Sequence, residues 1–351
     1  MVLIIRRIIS LFLAFLFTWN VCAYCDNFID SLSAHSAILV WNGEVIYEKN
    51  SQQKLPMAST TKLMTALIAA ERCKIDEKVQ IEAADCDVEG SSMYLRAGES
   101  LTVKELLKGL LLVSGNDAAL ALARYAGGSV ENFVKHMNEK AEELSMFSTH
   151  FTNPHGLSDE EHYSTAADLA RLMQACLENE NLRNIMSLKS CVVDGKALVN
   201  HNKLLYKCEG CTGGKTGYTE AAGRCLVSSC KRQGAELICV TLNAPDDWND
   251  HLALYNKVFN DYSLRNVTDG IRFSVPIAGS TEKLAYLVPQ GEKTVFVGKN
   301  SEVTVTARLP WFLFAPAEKG ETAGKAIITV DGKYAGEVPL VCRDSISSEK
   351  S

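Results

Sequence analysis

Ser59-Thr60-Thr61-Lys62 places a hydroxyl and an amine three residues apart, about one helical turn along one face. A serine hydroxyl is a weak nucleophile until a base stands beside it, and a lysine in its neutral form can be that base. Further along stand Ser114-Gly115-Asn116, a second hydroxyl and an amide able to complete a proton path, and Lys215-Thr216-Gly217, which supplies a second cation. In this order the three words point to acyl transfer through a serine ester. Singly, each has a plainer reading. Ser59 reads as a helix cap beside a solvated Lys62, Asn116 as the N-cap of a helix beginning Asn-Asp-Ala-Ala, and Lys215 as a solvated residue where a glycine-rich strand starts.

The elements that must position these groups follow from periodicity. Two β-rich runs, 36–41 and 44–48, flank Asn42-Gly43 and predict a hairpin. Residues 59–72 read as a helix with Leu63, Leu67 and Ala70 on one face, putting Ser59 in the first turn, where free backbone N–H groups favour negative charge. Residues 102–126 are mostly helical, broken at 114–117; 129–143 follow as an amphipathic helix capped by Ser129. The loop 151–157 and the stretch His162-Tyr163-Ser164-Thr165 precede a helix over 166–178, with His155 and His162 read as making structural hydrogen bonds. Two apolar strands, 222–229 and 237–242, flank Arg232-Gln233-Gly234, and 250–262 reads as a closing helix. Beyond 264 the chain changes to short β-rich runs at 272–276, 283–288, 294–297, 302–308, 326–330 and 334–340, separated by Gly, Asn, Asp and Pro turns. The expected organisation is a catalytic domain over 28–262, an all-β domain over 265–342 and a polar tail, 343–351, too short to be an amphipathic membrane helix.

Composition narrows the function further. The 351 residues carry a net charge of −6, which offers no basic face for nucleic acid. Arg6 and Arg7 precede an apolar run over 8–17 and the small-residue site Val21-Cys22-Ala23, the layout of a secretory signal peptide over 1–23. A permanent anchor is the alternative, although the run is shorter than the ~20 residues a spanning helix needs. Of the 12 cysteines, Cys208-Glu209-Gly210-Cys211 has redox-like or half-zinc-site spacing, but no second pair stands at finger-like distance. Cys176, Cys225 and Cys239 fall in apolar stretches, where a thiol acts as a small hydrophobe. The expectation is no metal, no cofactor and few disulfides.

With its motifs placed, the chain resembles the low-molecular-weight penicillin-binding proteins, the D-alanyl-D-alanine carboxypeptidases of peptidase family S11. Ser92-Met93-Tyr94-Leu95, Asn153-Pro154-His155-Gly156-Leu157 and His162-Tyr163-Ser164-Thr165 extend the resemblance over nearly the whole mature chain, and residues 244–251 are similar to the branch of spore-forming Gram-positive bacteria. The resemblance implies an α/β (α+β) fold: an antiparallel sheet between helical layers, a helical subdomain, then a small β-sandwich-like domain. It implies Ser59 as acyl-forming nucleophile, Lys62 as general base, Ser114 as proton relay and Asn116 as the group orienting Lys62 and the substrate amide. Lys215 and Thr216 would recognise the terminal carboxylate, with Gly217, Tyr218 and Thr219 continuing the substrate-binding strand and the Ser59 and Tyr218 N–H groups forming the oxyanion hole. Lys62 must be neutral to act as a base, which burial and nearby Lys215 would favour.

Two departures stand out. No membrane-binding amphipathic helix is expected at the C-terminus, and the segment where some relatives carry a carboxylate-binding Arg is acidic, Asp246-Asp247-Trp248-Asn249-Asp250. Arg224 is the nearest cation, fit either for substrate or for a structural surface role. The implied activity is removal of the terminal D-alanine from peptidoglycan pentapeptide stems, outside the cytoplasmic membrane, with β-lactams as covalent inhibitors. A D,D-endopeptidase acting on cross-links is the near alternative. A β-lactamase would need a Glu-x-x-Leu-Asn string between Asn116 and Lys215, and none is there; a catalytically silent wall-binding protein would not need three intact motifs.

Overall fold

The computed structural model describes residues 31–349, and the leader at 1–23 lies outside them. Strand β1 (Ser36–Trp41) turns through Asn42-Gly43 into β2 (Glu44–Lys49); φ is positive at both turn residues, 47° and 81°, as a two-residue hairpin turn requires. Strands β3 (Cys211–Thr219), β4 (Gly223–Arg232) and β5 (Ala235–Leu242) follow as consecutive hairpins. The five strands form one antiparallel sheet in the order β2-β1-β5-β4-β3, with Ile38 opposite Val240 and Lys215 opposite Val227. The strand carrying Lys215 is therefore an edge strand, with backbone groups left open for an extended ligand.

Both faces of this sheet are covered. Ile38, Val40, Val227, Ile238 and Val240 join a helical core on one side. On the other, Ser228 Oγ and Thr241 Oγ1 lie 2.7 and 3.0 Å from the two ring nitrogens of His251, in the helix Asp247–Asp261. Two-sided burial is why these strands read as nearly continuous apolar runs rather than as alternating ones. The helix Lys62–Arg72 sits among Val103–Leu112, Asn116–Gly127, Val130–Glu143 and Ala166–Glu178. Its residues 62–69 are all buried, not just the Leu63-Leu67-Ala70 face that the spacing predicts, since neighbours enclose it on every side. Thr102 and Glu105 form a reciprocal capping box, and Ser129 caps its helix as predicted, accepting from Asn132 N at 3.1 Å.

Two helix starts differ from the sequence reading. Ser59 lies in a 3₁₀ turn, Ala58–Thr61, ahead of the α-helix. In that tighter winding residues three apart nearly eclipse, so Ser59 and Lys62 face each other more directly than in an α-helix. The closing helix begins at Asp247, earlier than the sequence reading, with Asp247 and Asp250 in its first turn, where the helix dipole favours carboxylates.

The described chain divides into two compact units, 31–230 with 237–254, and 231–236 with 255–349. In the second, β6 (Phe273–Ala278), β7 (Leu284–Pro289), β8 (Val303–Arg308), β9 (Leu313–Phe314), β10 (Thr322–Val330) and β11 (Lys333–Cys342) form a sheet in the order β8-β10-β11-β7-β6-β9. A separate ribbon pairs Tyr262–Asn266 with Thr294–Gly298, and its Val295 and Val297 pack on Ile328 and Val338 of the sheet. The unit is all-β apart from the end of the closing helix. Strand β9 spans two residues and Tyr262–Asn266 leaves that helix without a turn, so neither carries a turn-bounded signal in the sequence. Among the described residues no helix is long and apolar enough to cross a membrane.

Candidate active site

Ala58 and Ser114 hold φ of 48° and 63°, the left-handed region that residues with a side chain avoid. Backbone of this kind is kept where the surroundings over-determine it, commonly at functional sites. Between these two points lies Lys62. Its Nζ is 2.9 Å from Ser59 Oγ, 2.7 Å from Asn116 Oδ1 and 2.6 Å from the His155 carbonyl. The side chain is fully buried, and burial, followed by the neighbouring Lys215, holds its pKa well below the ordinary lysine value against an opposing pull from Asp117. A neutral amine has two N–H groups and one lone pair. The Asn116 and His155 oxygens can only accept, so they take the two N–H groups and leave the lone pair facing the Ser59 hydroxyl.

Asn116 is the first residue of its helix, with Gly115 in the capping position, so its side chain serves the site rather than the helix end. Its Nδ2 donates to the Glu89 carbonyl at 2.6 Å, which fixes the amide so that Oδ1 points at Lys62. The adjacent Asp117, also buried, accepts from Met93 N, Leu95 N and Ser92 Oγ at 3.1, 3.0 and 2.6 Å. It ties the loop through Ser92 to the break that carries Ser114.

Lys215 Nζ donates to Ser114 Oγ at 3.1 Å and to the Thr216 carbonyl at 2.8 Å. Burial alone pushes its pKa down to about 7. Gly217 passes so close to the nucleophile turn that a Cβ there would sit 3.1 Å from Ser59 N and from the Met57 carbonyl. The loop 151–157 closes the far side. Gly156 has φ 88°, and a side chain there would collide with the Ala58 carbonyl. His162 bonds Thr61 Oγ1 at 2.7 Å and accepts from Thr152 N at 3.0 Å. Burial lowers the pKa of His155 and of His162 to about 4, so both rings are neutral and hold the loop in place. Beside Ser59 opens a cleft of about 320 Å³, also lined by Ser114, Thr216, Gly217, Tyr218 and Arg224.

A serine hydroxyl beside a buried, hydrogen-bonded lysine invites comparison with known proteins. The sequence profile of the D-alanyl-D-alanine carboxypeptidases, peptidase family S11, matches residues 26–246. The chain belongs to this family. The profile of the penicillin-binding protein 5 C-terminal domain matches residues 274–348. The D-alanyl-D-alanine carboxypeptidase DacF of Bacillus subtilis is 33% identical over 336 residues, covering 89% of this chain and 86% of that protein. Penicillin-binding protein 5 from Haemophilus influenzae superposes with a TM-score of 0.74 at 27% identity, covering 90% of this chain and 98% of that one. The D-alanyl-D-alanine carboxypeptidase DacD from Francisella tularensis gives 0.72 at 25% identity, covering 91% and 94%.

In this D-alanyl-D-alanine carboxypeptidase the structure brings Ser59, Lys62, Ser114, Asn116 and Lys215 together from three separate segments. Thr219 lies apart: its hydroxyl accepts from Ala222 N at 3.1 Å, in the turn between β3 and β4. Arg224 both faces the cleft and has a structural partner. Its Nε and Nη2 lie 3.1 and 2.8 Å from one Asp247 oxygen, and its guanidinium stacks 5.5 Å from the Trp248 ring. Sequence reasoning passed over Asp247 and Trp248 as part of an acidic segment, and did not single out His201 and Lys203, which also line the cleft. It could not foresee that a main-chain oxygen, that of His155, holds the Lys62 amine, since carbonyls leave no mark on residue type. The Cys208 and Cys230 sulfurs lie 3.8 Å apart without a disulfide between them, and among the described residues no three His, Cys, Asp or Glu side chains converge as metal ligands would.

Proposed function

We propose that this carboxypeptidase releases the terminal D-alanine of peptidoglycan pentapeptide stems through an ester on Ser59. The observation that carries the reading is the buried Lys62 Nζ 2.9 Å from Ser59 Oγ, its other two neighbours, the Asn116 and His155 oxygens, being able only to accept. Lys62 takes the hydroxyl proton as Oγ attacks the carbonyl carbon of the scissile D-Ala–D-Ala bond. The Ser59 and Tyr218 N–H groups hold the oxyanion, donors set in place before charge develops. The proton passes by way of Ser114 to the leaving amine, D-alanine departs, and water hydrolyses the ester with Lys62 again accepting a proton. The peptide lies along the open edge of β3, as an added strand. Incubating the protein with pentapeptide muropeptides tests this: free D-alanine and tetrapeptide products support it, and cleavage confined to cross-linked dimers would make the enzyme an endopeptidase.

Lys215, with Thr216 and Arg224, is assigned to the substrate carboxylate. Because Lys215 loses its proton near pH 7 in the empty site, kcat/KM for the peptide is expected to fall as pH rises above about 7. Arg224→Ala is expected to raise KM for the peptide but not for an ester lacking the carboxylate; equal loss on both substrates would refute the assignment to Arg224.

The enzyme acts outside the cytoplasmic membrane, a placement supported by its peptidoglycan substrate and its leader-like N-terminal sequence. Fractionation of the host should recover it outside the cytoplasm with residues 1–23 removed. Recovery only in detergent extracts with those residues attached would make the leader a permanent anchor.

A further inference from the structure

Strand β9 and the loop before it carry Trp311-Phe312-Leu313-Phe314, with Trp311 93% exposed, Phe314 71% and Phe312 48%. Pairing with β6 sets Leu313 opposite Ile277 and turns it toward the core of the second unit, which leaves Phe312 and Phe314 outward with ring centroids 5.0 Å apart. Leu284, 41% exposed, adds to the apolar surface from β7, where the Tyr286 ring carries the Arg343 guanidinium 5.0 Å from its centroid. Residues 309–317 contain no charged, hydroxyl or amide side chain, and charge returns at once on both sides, at Arg308 and at Glu318-Lys319. The turn Glu282-Lys283 ahead of β7 adds charge to that border, the Lys283 carbonyl accepting at 3.2 Å from the N–H of Ile277, the residue opposite Leu313.

We propose that this aromatic tip docks shallowly into the boundary between headgroups and acyl chains of a lipid bilayer. A sugar-binding platform sets polar side chains among its rings, and between the charged ends of this run, over 309–317, the indole N–H is the only polar side-chain group. A bilayer needs none. It favours Trp at the interface with Phe below it, and a charged collar marks the depth at which insertion stops. The collar holds both signs, so the rings carry the affinity and anionic lipid is not required. The surface serves localisation and stands independently of the catalytic reading.

The test uses the protein in the form its host exports and phosphatidylcholine vesicles brominated on the acyl chains. Subtracting the emission of Trp311→Phe from that of the wild type isolates Trp311. Its emission is expected to be largely lost on adding vesicles, and to be retained when Phe312→Ser and Phe314→Ser are combined. Unquenched Trp311 overturns the proposal. So does a Trp311 emission that shifts with protein concentration in the absence of lipid, which would mean the tip is covered by a second copy. Trp311→Phe should release D-alanine from soluble peptide at the wild-type rate, so failure of the docking test leaves the catalytic reading untouched.

Discussion

Lys62→Ala is expected to slow acylation of Ser59 by ~10²–10⁴-fold, the usual worth of a positioned proton acceptor. The variant keeps the Ser59 hydroxyl but leaves nothing to take its proton, because the other neighbour of that oxygen, the His155 carbonyl at 3.5 Å, is far too weak a base. Lys62→Arg should fail nearly as badly, since a guanidinium stays protonated at any working pH and has no lone pair to offer. It would also bury a charge beside Lys215. Stopped-flow acylation with benzylpenicillin, followed by mass spectrometry of the Ser59 peptide, measures the effect. The binding step should change less than the chemical step. Acylation at the wild-type rate in either variant, or an adduct that persists in Ser59→Ala, would remove these residues from the mechanism.

The second large effect lies after acylation. Penicillin and peptide form esters on the same oxygen, yet their fates are expected to differ by orders of magnitude. When a D-Ala-D-Ala peptide reacts, the leaving D-alanine diffuses out of the cleft and admits water to the ester. The opened penicillin keeps its leaving group tethered above the ester, so the water has to be activated by a carboxylate placed for that purpose. Among the acids between Asn116 and Lys215, Asp168 is committed to Arg171 at 2.7 Å and to Ser148 N and Thr149 Oγ1, while Glu139 pairs with His136. Neither lines the cleft beside Ser59, and the one acid among the described residues that does, Asp247, is held by Arg224 at 2.8 Å. A chase after rapid acylation should therefore find a long-lived penicilloyl-Ser59 beside rapid turnover of peptide. Penicillin turnover as fast as peptide turnover would place a deacylating base in this site and make the enzyme a β-lactamase in practice.

Much of the site was legible because acyl transfer constrains residue type and spacing within single segments. Ser59 and Lys62 share one turn, Ser114 and Asn116 one helix break, and Lys215 to Gly217 one strand. The hairpin at Asn42-Gly43 and the all-β character beyond 264 were equally local, since turn residues announce their backbone conformation. Tertiary structure decided whatever depends on groups far apart in the chain. Burial by surrounding helices and the approach of Lys215 lower the Lys62 pKa, and the His155 carbonyl and Asn116 amide aim its lone pair. Arg224 reads from sequence as fit for substrate or for structure; the fold sets Asp247 and Trp248 against it and places it in the lining of the cleft. Residue type states which chemistry a side chain can do; its protonation and direction come from desolvation and from partners that only the folded chain brings within reach.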